Sequence, residues 1–111
     1  MYPKPVSQSA NIASGGTTSQ ALRVGGKFIV GLITPAALTG TTITFTGCDT
    51  ATGTFVPIYD SDGTAVSVAV AASRGYGLSG AEADALAPFP YIKLVSGSAE
   101  GAARVVKLLT K

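Results

Sequence analysis

Polar and apolar positions alternate in short runs along most of this chain, and turn-forming residues separate the runs. Thr41 to Thr46 is the clearest case: Ile43 and Phe45 fall on one face, and Thr42, Thr44 and Thr46 on the other. A period of two is the signature of a strand with one face on a core and one face outward. Thr18 to Val24 predicts an earlier strand, with Leu22 and Val24 opposite Ala21 and Arg23, and Gly25-Gly26 breaks it. Lys27 to Thr34 is a near-continuous apolar run, as in a strand buried on both faces, and it stops at Pro35. Gly31 within it predicts a bulge or a close backbone approach.

After a loop over 47–53, Thr54 to Asp60 predicts a strand whose Pro57 cannot donate to a ladder, which makes it an edge or a bulged strand. Asp60-Ser61-Asp62-Gly63 predicts a hairpin turn, because Asp side chains bond local amides and Gly accepts positive φ. Ala65 to Val70 alternates again, with Val66, Val68 and Val70 inward. Arg74 to Leu78 is a weaker strand. Ser79 and Glu82 have the spacing of a capping box and open a short helix near 80–87, which Pro88 and Pro90 stop. Tyr91 to Ser96 and Ala102 to Leu109 are the last two strands. About eight strands at regular spacing predict an all-β fold: an antiparallel β-sandwich, jelly-roll-like, with one short helix.

Residues 1–16 show no period and are rich in Pro, Ser and Gly, so they read as an extended N-terminal arm, with a single β-sandwich domain over 17–111. The arm is either a free terminus or a docking arm. In the docking reading Tyr2, Pro3, Lys4, Pro5 and Val6 are the assembly contacts.

Composition turns this pattern toward function. Only 13% of the 111 residues are charged, about half of what soluble domains carry. Ser, Thr and Gly must wet the surface, or neighbours must cover part of it; the second predicts an oligomer or a place in an assembly. Net charge is +2 with the basic residues dispersed, so no basic run interleaved with aromatics favours nucleic acid. The longest apolar stretch, Phe28 to Leu38, falls short of the ~20 residues a membrane helix needs. The first residues lack the apolar segment of a signal peptide. The expectation is a soluble protein made in the cytoplasm.

Candidate chemistry is sparse. The chain contains no His, which removes the commonest general base and metal ligand together with every histidine-based triad. No Gly-rich P-loop string exists. Cys48 stands alone and reads as an inert residue. Asp60-x-Asp62-Gly63 resembles the start of a calcium loop, but the remaining ligands of such a loop are missing. The carboxylates of a glycosidase would have to face each other across a cleft, and the turn accounts for Asp60 and Asp62. Tyr59, Tyr76 and Tyr91 are candidates for a sugar-stacking platform or for ordinary core. The expectation is a protein that is not an enzyme and holds no cofactor and no metal.

Four stretches also carry a resemblance: Gly25 to Ala37, with its apolar strand ending at Pro35-Ala36; Thr42 to Thr46 leading to Phe55 to Asp60 and Asp62-Gly63; Val70 to Arg74; and Tyr91 to Gly97. From Leu22 onward the chain resembles small β-sandwich virion proteins of tailed bacteriophages. Cys48 and the loop around it depart from that pattern. The resemblance implies a capsid decoration (cement) protein, or a related head or tail accessory protein, that stabilises the phage head by binding the major capsid protein lattice. It further implies a homotrimer on the capsid surface, without nucleic acid or membrane as a partner. The competing expectation is a carbohydrate- or receptor-binding module of a phage fibre or tail.

Overall fold

A computed structural model describes residues 6–25, 27–78 and 80–111. Nine strands and one helix follow in chain order: β1 (Val6–Ile12), β2 (Leu22–Arg23), β3 (Ile29–Ile33), β4 (Thr42–Cys48), β5 (Val56–Pro57), β6 (Ser67–Ala69), β7 (Gly75–Gly77), α1 (Ala81–Leu86), β8 (Tyr91–Ser96) and β9 (Arg104–Thr110). The first sheet has the order β1-β9-β3-β7 and the second β2-β8-β4-β5, with β6 also on β4; every pairing is antiparallel. If β5 and β6 are taken as one interrupted strand, the two sheets interleave as in a jelly roll, the predicted class.

The alternation seen in the sequence builds the core. Ile43 and Phe45 of β4 and Ile92 and Leu94 of β8 face Leu32 of β3 and Val106 and Leu108 of β9, all buried. Each such side chain removed from water contributes about 1.5–3 kcal/mol. Val66 and Val70 are buried, and Val68 packs against the same cluster, as predicted. Leu86 brings α1 onto the core.

Several expectations need correction. Residues 6–12 belong to no arm: β1 pairs along its whole length with β9, from Val6↔Thr110 to Ile12↔Arg104. Its inward positions Ala10 and Ile12 are buried, and its outward positions are the polar Ser7, Ser9 and Asn11, but the polar Gln8 at an inward position interrupts the period. Tyr2, Pro3, Lys4 and Pro5 lie outside the described residues; Val6 opens β1 and is half exposed. The strand at Lys27 to Thr34 is shorter and only one of its faces is covered, because Ile33 points outward with 42% of its surface open. The register shifts between Ile29 and Gly31. A Cβ on Gly31 would stand 2.8 Å from the Tyr76 carbonyl oxygen, so the predicted close approach is real. The helix begins at Ala81 with Gly80, at φ 58°, as N-cap and with no side-chain cap; Ser79 lies outside the described residues.

The segments flanking Asp60–Gly63 were expected to form two paired strands. They pair next to the turn, at the Tyr59↔Ala65 bridge, while farther out β5 and β6 each pair with β4, at Thr46↔Pro57 and Thr44↔Ser67. Between them the chain loops out as a small hairpin. Its rungs are the Val66 amide on the Ile58 carbonyl and the Asp60 amide on the Thr64 carbonyl.

Candidate functional site

Three surfaces carry groups that the core does not use. The first is the outward face of the β1-β9-β3-β7 sheet. Thr110, Leu108 and Val106 point inward, so Lys111, Leu109, Lys107 and Val105 point outward along β9. Beside them on β3 the outward positions are Ile33 and Gly31, and the backbone pair Phe28–Lys111 continues the ladder. Phe28 is 65% exposed and Val105 43%. The edge strand β7 adds Gly75 and Gly77, across from Ile33 and Gly31, and open space stands over Gly77. The result is a smooth apolar stripe, Phe28–Leu109–Ile33–Val105, carrying only the positive charges of Lys107 and Lys111.

The second surface is the corner where the inserted hairpin meets α1. Two adjoining open depressions of about 290 and 230 Å³ lie there, lined by Asp60, Asp62 and Asp84 in one and by Asp60 and Glu82 in the other. Four of the six carboxylates of the chain thus meet at one place. Asp60 is engaged locally: its Oδ1 accepts from the amides of Asp62 and Thr64, both at 2.9 Å, which is the turn chemistry predicted for it. No group of three or more metal-ligating side chains is assembled among the described residues. Tyr59, exposed, precedes Asp60 on the same hairpin.

The third is the loop end of the sandwich around Glu100, which is buried. Its carboxylate accepts from the amides of Thr39 (2.8 Å) and Gly40 (2.9 Å), from the Ser96 hydroxyl (2.7 Å) and from Arg104 Nε (3.0 Å). Burial by itself would raise its pKa, but these four donors outweigh it and lower the value from 4.5 to about 2. Its backbone also bonds Gly15 and Gly16. One residue therefore ties three connections together: its carboxylate holds β3–β4 to β8–β9, and its backbone holds β1–β2. Every acceptor position is satisfied by the protein, so the group is an anchor with no capacity left for a substrate. Its sequence signal was the pair Glu100 and Arg104, one helical-turn spacing apart in a loop otherwise made of Gly, Ser and Ala.

The candidates named from sequence are not brought together. Tyr76 sits on β7 beside Leu32, packs against the core, and its hydroxyl accepts from the Ala71 amide at 2.8 Å. Tyr91 begins β8 in the other sheet, and Tyr59 is exposed on the hairpin. No common platform forms. Cys48 is buried at the end of β4, its Sγ near the Asp49 and Thr50 side chains and packed on Gly53, so it closes its own loop.

Among the described residues no helix is long and apolar enough to cross a membrane. No family model matches the chain, and no curated protein matches it. Among solved structures the fold is similar to that of the SPBc2 prophage-derived protein YomS, with a TM-score of 0.55 at 14% sequence identity, over 100% of this chain and 98% of that one. The likeness spans both sheets from end to end and concerns the fold.

Proposed function

We propose that this chain is a structural virion protein of a tailed bacteriophage, a capsid decoration protein that stabilises the head by binding the major capsid protein lattice. On this reading it is made in the host cytoplasm, assembles as a homo-oligomer, a trimer, and acts by contact with no catalytic step. The observation that carries the reading is the surface. Six large apolar side chains, Val6, Phe28, Ile33, Val56, Tyr59 and Val105, are 42–65% exposed on a chain with 13% charged residues. Large exposed apolar groups on a surface with few charges mark places where partners sit. A standard contact buries about 800 Å² per partner, a modest part of the 6048 Å² this molecule exposes, so it can hold neighbours on more than one side. The full-length likeness in fold to a prophage-derived protein and the sequence resemblance point the same way.

Tyr2, Pro3, Lys4, Pro5 and Val6 are assigned the capsid contact. The described fold begins at Val6, so removing residues 2–5 leaves the ladder between β1 and β9 intact. The expected outcome is a truncated protein that melts like the full chain but no longer sediments with capsids lacking the native protein. Capsid binding equal to that of the full chain would remove these residues from the contact. Failure of the full chain itself to bind or to raise the capsid melting temperature would overturn the function.

A further inference from the structure

Acidic groups cluster on this surface, and two of the dispersed basic groups lie well apart from them in the fold. Lys107 and Lys111 lie on the apolar stripe of the first sheet, while Asp60, Asp62, Glu82 and Asp84 gather at the hairpin–helix corner. Among the described residues the one ion pair is Arg104–Glu100, so neither set is paired within the described fold. Each surface also carries exposed apolar residues: Phe28, Ile33 and Val105 with the lysines, and Tyr59 on the hairpin next to Asp60. Two surfaces of opposite sign, each with apolar anchors, complement each other and repel their own kind.

We propose that the outward face of the β1-β9-β3-β7 sheet binds a second copy of this chain, head to tail, through that copy's hairpin–helix corner. Lys107 and Lys111 face Asp62 and Asp84 of the neighbour, and Tyr59 of the neighbour covers Phe28 and Ile33. Such a contact uses two different patches. It closes a ring when the rotation between copies allows. The glycines at positions 31, 75 and 77 leave the receiving face low beside Ile33, where a protruding hairpin tip can approach. The inference rests on the assembly reading above and names the surfaces through which copies meet.

Charge reversal tests it. The variants are Lys107→Glu with Lys111→Glu, Asp62→Lys with Asp84→Lys, and all four in one chain; all four side chains are exposed, and thermal melts check folding. Association is read by sedimentation velocity on the full chain, and capsid binding by cosedimentation. The two double variants are expected to weaken self-association at least about tenfold, and the fourfold variant to recover it. Phe28→Ser, which leaves all charges in place, is expected to weaken it as well. A wild-type chain that stays monomeric, or double variants that associate like wild type, overturns the contact. If the lysine reversal abolishes capsid binding while association is unchanged, the face belongs to the shell and the head-to-tail contact is wrong, with the virion function intact. Association that follows the charge pattern in a protein that never binds capsids keeps this contact and overturns the virion function.

Discussion

Glu100 shows how much one residue decides here. A buried carboxylate is expensive unless donors surround it, and this one meets four. Its pKa stands at about 2 in the fold, against an ordinary 4.5. A lowered carboxyl pKa stabilises the fold fully above the ordinary value, and that stabilisation fades as the pH falls toward the folded one. The difference amounts to about 3 kcal/mol. Glu100→Gln turns an acceptor into a donor facing the amides of Thr39 or Gly40 and strands Arg104. It is expected to cost about 3 kcal/mol at neutral pH. In thermal melts across the pH range, the gap between wild type and Glu100→Gln should narrow from about pH 5 down to about pH 2. A gap that stays constant over that range would mean the carboxylate charge is not what holds the β3–β4 and β8–β9 connections together.

Among the elements, β4 was the most legible from sequence because its pattern has no competitor: apolar residues at 43 and 45 between threonines give one answer. β8 and the turn at Asp60–Gly63 were legible for the same reason, with Gly63 taking the positive φ, 81°, that the turn asks of it. β1 was not, because Ala10 and Ile12 are its only buried apolar residues and the strand depends on β9 for its ladder. Its free edge is also guarded by a tertiary contact that no periodicity can show. The Gln20 side chain accepts from the Asn11 amide and donates to the Ser9 carbonyl, both at 2.8 Å, as a neighbouring strand would. β4 carries a second such contact: a Cβ on Gly47 would lie 2.7 Å from the Phe89 ring and 2.9 Å from Ile58. Gly47→Ala is therefore expected to lower stability by about 1–3 kcal/mol in chemical denaturation. An unchanged midpoint would show that Phe89 is free to move aside.

For the whole molecule, the all-β sandwich follows from alternation and turn chemistry, but the place of β1 beside β9 and the surface do not. The acidic corner joins residues 60–62 with 82–84, and the apolar stripe joins residue 28 with residues 33, 105 and 109. Both arise only when the jelly roll folds distant segments together. What could be read from sequence was a shortage of charge; that four of the few acids gather at one corner required the fold. On the proposed reading, that distribution fits the molecule for contact with copies of itself and with a shell. Electron cryomicroscopy of the capsid, assembled with and without the protein, measures that most directly. The account predicts additional density on the outer shell that fits an 11.0 kDa sandwich, repeated at lattice positions, with Val6 at the shell and the stripe of Phe28 and Ile33 covered by an adjacent copy. Two identical reconstructions would contradict it.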